Sequence, residues 1–271
     1  MSPGSIAFND TVNLHKTHTL TITNYGDSIV GYNILKKVSV SVIPYNVVET
    51  GYDFTEPAQL GTDIADLRIS QNSLKLSPGA SADITITVIP PNTDPKLHIM
   101  YGGYVEFKNT VPNRKSITVP YIGIVGDQRE LPIFKKSMPI LLDGSGIIHW
   151  DANDPVVFVR RNQLTRPSIR YVMVTPSKLV TFPLFGDNGQ QLGFAFHSHP
   201  FNIRTMNYEP APELQWDGTY FVPDPEGISK PITSIALPGK YRIGVRALKL
   251  LGDENKKDDW DIWVSGTIEV V

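Results

Sequence analysis

Residues Leu237 to Val264 read L-P-G-K-Y-R-I-G-V-R-A-L-K-L-L-G-D-E-N-K-K-D-D-W-D-I-W-V, and this stretch decides the fold. Pro238-Gly239 is a turn signal. Tyr241, Ile243, Val245 and Ala247 then alternate with Arg242, Gly244, Arg246 and Leu248, the period of two of a half-buried strand. Gly252 to Asp259 is a charged, hydrophilic turn. Trp260, Ile262 and Val264 resume the alternation on the return strand. In that phase Trp260 points inward with Ile262, and Trp263 points outward. Two strands, one polar loop and a nearby chain end predict the closing hairpin of a β-sandwich.

Composition agrees with this outward from the hairpin. The 271 residues suffice for one large domain or two ordinary ones. The 22 Pro and 21 Gly fall mostly between short apolar runs, as in turn-rich β proteins. Cys is absent, which removes disulfides, zinc-thiolate sites and thiol nucleophiles. The formal net charge of −2 offers no basic excess for phosphates, so nucleic acid is not an expected partner. No run of 18 apolar residues occurs, so no membrane-spanning helix is expected. Met1 to Ser5 lacks the charged and apolar regions of a signal peptide.

Two modules are expected, at residues 1–126 and 139–271. In the first, Thr17 to Thr23, Val38 to Ile43, Ala82 to Ile89, Tyr104 to Phe107 and Ser116 to Ile124 are short, β-branched and bounded by turn residues. Such a set suits a sandwich of about seven strands in about 100 residues. Asn46 to Asp66 breaks the rhythm and reads as a long loop insertion. Residues 127–138 read as a docked connector, because Leu131, Ile133 and Phe134 are too apolar for a free linker. The second module carries strand patterns at Val156 to Val159, Ile169 to Val174, Leu179 to Leu184, Leu192 to Phe196 and Trp216 to Phe221 before the hairpin. The fold class is all-β: two tandem β-sandwiches of fibronectin type III-like or immunoglobulin-like build.

Ser2 to Thr11, Lys16 to Asn24, Leu76 to Val88, Pro90-Pro91, Tyr101 to Val105 and Val119 to Gly126 follow one another in a set order. Together with the closing hairpin they resemble the fibronectin type III-like modules that follow the catalytic domain of secreted subtilisin-like serine proteases, especially the large fungal ones. The Asp-Thr/Ser-Gly, His-Gly-Thr and Gly-Thr-Ser-Met-Ala phrases of those catalytic domains are missing here. The resemblance implies a non-catalytic accessory region that braces a protease domain or positions substrate. Its implied partner is the catalytic domain of the parent chain, with cell-surface or cell-wall components as further partners. It also implies an extracellular location, with any leader upstream. No cofactor is expected.

Few residues suggest chemistry, and each has a plainer reading. His197 and His199 are i and i+2 on a strand, so their imidazoles would share a face and an ion. The commoner reading is a polar strand end before Pro200. His15 and His18 are expected on opposite sides. Asp253, Glu254, Asp258 and Asp259 resemble a calcium loop in charge, yet Lys256 and Lys257 lie between them and the EF-hand order is missing. Asp143, Asp151 and Asp154 around Trp150 read as turn caps. Gly144-Ser145-Gly146 is not a nucleophile elbow, and no catalytic residue is assigned. Asn9-Asp10-Thr11 is the one N-glycosylation sequon, so Asn9 is the candidate acceptor. Trp263 is the candidate exposed aromatic for an adhesive or carbohydrate-binding role, the alternative to protease bracing. A further alternative reads the chain as a piece of an active serine endopeptidase.

Overall fold

A computed structural model describes residues 1–48, 51–149, 154–202, 211, 213–223 and 231–271. The chain divides into two units, Met1–Gln128 and Arg129–Val271. Among the described residues neither unit contains an α-helix; short 3-10 turns are the only helical segments.

The first unit is built from β1 (Ile6–Asp10), β2 (Thr17–Thr23), β3 (Val30–Val38), β4 (Ser41–Val48), β5 (Gly51–Gly61), β6 (Asp66–Ile69), β7 (Ser73–Leu76), β8 (Ser81–Ile89), β9 (Met100–Asn109) and β10 (Ile117–Ile124). One sheet runs β1-β10-β9-β3-β7, with β4 on β9 and β5 on β4, and the other runs β2-β8-β6. β1 lies parallel to β10, whereas the remaining pairs are antiparallel. The β-branched alternation explains the layers. Leu20, Ile22, Ile84, Ile86 and Val88 from the smaller sheet meet Ile6, Phe8, Val105, Phe107 and Val119 from the larger one in a single core.

The loop insertion expected at Asn46 to Asp66 is instead a β-hairpin. Val47↔Tyr52 and Asn46↔Asp53 pair across it, and the ladder continues to Ser41↔Gly61 with a register shift between Ile43 and Tyr45. That shift interrupts the period of two, which is why alternation did not expose the strands. β3 was also missed, since Val30 to Val38 carries Gly31 and two lysines and buries only Ile34.

The second unit is built from β11 (Ile140–Leu142), β12 (Ile148–His149), β13 (Val156–Phe158), β14 (Ser168–Arg170), β15 (Ser177–Gly186), β16 (Gln191–Asn202), β17 (Glu213–Gln215), β18 (Thr219–Val222), β19 (Ile232–Ile235), β20 (Gly239–Leu248), β21 (Trp260–Val264) and β22 (Ile268–Val270). A large sheet runs β13-β22-β20-β15-β16-β18-β19 with β21 on β20, opposite a smaller β12-β11-β14-β17 sheet. Phe182, Leu184, Ile243, Val245 and Ala247 face Leu141 and Ile169, and Trp216 is fully enclosed. Of the stretch read as a connector, residues 129–138 belong to this unit. Ile133 is part of its core, Val174 N–H donates to Ile133 O at 2.8 Å, and Lys135 N–H donates to Val172 O at 2.9 Å.

The β20–β21 hairpin is present, but its phase is the reverse of the expected one. Trp263 pairs with the buried Val245 and packs against the core. Ile262 and Val264 are 45% and 42% exposed. The cause is Asp261. Its Oδ2 accepts the Ile133 N–H at 2.6 Å, and its Oδ1 faces Lys249 Nζ at 3.5 Å. A carboxylate satisfied in this way can sit on the inner side, which carries Trp263 inward with it.

Candidate functional site

The candidate residues do not converge on one centre. Trp263, expected to be an exposed platform, is half-buried with its ring against the second core. Trp260 occupies the outer side, half-buried under the guanidinium of Arg246, 4.7 Å from its ring centroid. Its Nε1 donates to Glu254 O at 3.1 Å.

His197 and His199 contact different aromatics. His197 stacks on Phe221 at 3.9 Å, while His199 sets its ring against Phe182 at 5.3 Å. The register explains the separation. Val180 pairs with His199 and Phe182 with Phe196, so β16 uses three steps where β15 uses two. A bulge of this kind cancels the i, i+2 rule that would have put both rings on one face. His15 and His18 depart from expectation the other way: their rings come within 6.1 Å. Among the described residues no group of three His, Cys, Asp or Glu side chains is placed to hold a metal.

The acidic loop is tied to itself. Asp259 is buried and its Oδ2 accepts the Asp253 N–H at 2.8 Å, while Asp253 Oδ1 accepts the Asn255 N–H at 3.0 Å. Those carboxylates cap turns. Asp143 does the same for Ser145 and Ile147, at 2.8 and 2.9 Å. His149 lies between Asp143, 3.5 Å from Nε2, and Asp154, 3.1 Å from Nδ1. The two carboxylates thus address opposite nitrogens of one ring, a geometry that does not converge on an ion. Trp150 and Asp151 lie outside the described residues.

Asn9 is half-buried with φ 60°, at the register shift between β1 and β10, and its Nδ2 donates to Asn13 O at 3.4 Å. Thr11 Oγ1 accepts the Gly126 N–H at 2.8 Å. The sequon is therefore part of a clasp that sequence reading did not find. At its centre Asp10 is fully buried. Its Oδ1 accepts the Asn13 N–H at 2.7 Å and the Val12 N–H at 3.1 Å, and its Oδ2 accepts the Gln128 N–H at 3.0 Å. One carboxylate so joins the first strand of the unit to its last residue. An Asp between Phe8 and Thr11 carries no such signal in sequence, because its partner lies 118 residues on.

The phrases Tyr101-Gly102-Gly103 and Tyr121-Ile122-Gly123 have a shared physical reason. Tyr101 pairs with Gly123 and Tyr121 with Gly103, two reciprocal cross-strand pairs on the inner face of β9 and β10. A Cβ at Gly123 would strike the Tyr101 ring, and one at Gly103 would strike Lys37 O and the Tyr121 ring. Each glycine makes room for the tyrosine opposite. Burial pushes both phenols above their ordinary range. Neither hydroxyl finds a hydrogen-bond partner among the described residues.

On the other face of the same strands lies an apolar depression of about 490 Å³, lined by Val40, Val42, Met100, Gly102, Tyr104 and Ile122 among others. Val40, Tyr104 and Ile122 are 55%, 50% and 47% exposed. Apolar side chains on the outer face of a sheet mark a surface suited to contact rather than to catalysis.

Comparison with known proteins agrees with the build of the first unit. Residues 6–122 match the family model of the Fn3-like domain, so the chain carries an Fn3-like module. No curated protein matches. Among solved structures, the class 5 fimbriae chaperone CfaA is 12% identical over 97% of each chain, with a TM-score of 0.35. The CupB2 chaperone of Pseudomonas aeruginosa is 11% identical over 98% of each chain, with a TM-score of 0.29. The ASH/PapD-like domain of human CEP192 is 19% identical over 41% of this chain and 70% of that one, with a TM-score of 0.27. Likeness at this level carries no functional weight.

Proposed function

We propose that this chain is a non-catalytic accessory region of a secreted, extracellular subtilisin-like serine protease, and that its Fn3-like module braces the catalytic domain of the parent chain. The observation that carries the reading is the apolar outer face around Tyr104 and Ile122 on a module that matches the Fn3-like domain. A bracing contact needs such a face, and the depression gives an apolar knob on the partner a place to sit. The sequence phrases that resemble the protease-associated modules run through the same strands, β9 and β10. Trp263, the candidate aromatic of the carbohydrate-binding alternative, is half-buried against the second core.

Two experiments test the proposal. The coding sequence upstream of Met1 should contain the Gly-Thr-Ser-Met-Ala phrase of a subtilisin-like catalytic domain; an unrelated upstream sequence would overturn the reading. In the full parent chain, Tyr104→Glu with Ile122→Glu should lower the melting temperature of the catalytic domain and shorten its active lifetime. These side chains are half-exposed, so the module itself should stay folded by circular dichroism. An unchanged protease would reject the bracing role.

A further inference from the structure

Gly186-Asp187-Asn188-Gly189-Gln190 joins β15 to β16 and holds the only Asn-Gly pair in the sequence. We propose that Asn188 is a site of spontaneous covalent conversion, in which the backbone nitrogen of Gly189 closes on the Asn188 side-chain amide with Arg242 promoting the step. The Gly189 nitrogen gives up its proton to solvent base and forms a bond to Asn188 Cγ. The Cγ–Nδ2 bond then breaks, and the nitrogen leaves as ammonia after taking up a proton. Water opens the resulting five-membered imide at either carbonyl, giving an aspartyl or an isoaspartyl residue. The net change is addition of one water and loss of one ammonia, with no oxidant or cofactor.

Three features of the turn favour this. Residues 187–190 are exposed, so water and base reach the reacting atoms. Asn188 Oδ1 accepts the Gln190 N–H at 3.0 Å, which draws electron density from Cγ and holds the side chain over the turn. Gly189 has φ 77° and no side chain to hinder ring closure. The group nearest to where its Cβ would stand is Arg242 Nη2, at 3.9 Å. Arg242 stands on the neighbouring strand, paired through its backbone with Phe185. A guanidinium on the side of the turn where Gly189 lacks a side chain favours the deprotonated nitrogen and the oxyanion that forms at Cγ. One feature opposes it: the Gly189 N–H donates to Gly186 O at 2.9 Å, so the turn must open first. An exposed turn at the end of a hairpin opens at small cost.

The test is timed incubation of the folded protein at mildly alkaline pH, with peptide mapping by mass spectrometry and enzymatic methyl labelling of isoaspartyl residues. A gain of one mass unit should accumulate at Asn188 ahead of every other asparagine. Arg242→Gln should slow it several-fold, and Arg242→Lys, which keeps the charge, should restore most of the rate. Asn188→Gln should remove the signal, since its ring closure is slower. Conversion at other asparagines with Asn188 intact would overturn the site. Equal rates in wild type and Arg242→Gln, or no restoration by Arg242→Lys, would overturn the electrostatic assistance.

Discussion

Trp260 and Trp263 stand three residues apart on opposite sides of β21, and truncation should separate them. Trp263→Ala should cost about 3 kcal/mol, since it removes a large ring from the second core. Trp260→Ala should cost about 1 kcal/mol, chiefly the stacking with Arg246. Urea unfolding of the two variants measures the difference, and equal losses would refute the phase of this strand. Sequence alone pointed to the reverse phase for a definite reason. An acidic residue reads as outward-facing, and nothing near Asp261 in sequence announces that its partner is the N–H of Ile133, 128 residues earlier. The reciprocal tyrosine–glycine pairs make a second residue-scale contrast. Tyr101→Phe should be close to neutral, because it removes a buried hydroxyl that has no partner among the described residues. Gly123→Ala should cost about 1–3 kcal/mol by pushing its methyl into the Tyr101 ring. Denaturant midpoints of the pair check both signs.

At the scale of elements, strands with unbroken alternation were legible and interrupted ones were not. Thr17 to Thr23 and Ser81 to Ile89 stand in the structure nearly as read. β3 was hidden by its glycine and lysines, with only Ile34 buried, and the β4–β5 hairpin by a register shift. The candidate site was less legible still, because the Asp10 clasp and the apolar face are assembled from strands far apart in sequence. The β14–β17 edge adds a pH-dependent contribution. Glu213 accepts the Ser168 hydroxyl at 2.6 Å and pairs with Arg170 at 2.7 Å. The hydroxyl, and then the guanidinium, hold its carboxyl below the usual range against the opposing effect of burial. A depressed native value stabilises above the unfolded value of about 4.3 and is lost as pH falls through the native one. Ser168→Ala should therefore lower the melting temperature at neutral pH. The gap to wild type should close as the solution is acidified below pH 4. A constant gap in thermal melts across that range would show that Glu213 is not the group involved.

At the scale of the whole molecule, two separate cores predict two separable folding units. Fragments 1–128 and 129–271 should each fold alone, and Ile133→Ala should lower the stability of the second fragment by about 2–5 kcal/mol. Fluorescence-detected unfolding of each fragment checks this, and a fragment lacking a cooperative transition would contradict it. The first unit has one more property, which concerns tension. Its first and last strands run parallel, Ile6 beside Tyr121 and Asp10 beside Ile124. Pulling the two ends of such a unit apart slides β1 against β10 along their length, so all the bonds of that ladder must yield together. The Asp10 carboxylate, fastened to Gln128, adds a lock at the point where the force enters. A pull applied across the β9–β10 hairpin would instead open that ladder one bond at a time. In a single-molecule experiment the end-to-end direction should need the larger force, and Asp10→Ala should weaken that direction while leaving the hairpin direction nearly unchanged. A unit of this build would resist stretching along the chain far better than peeling from the side.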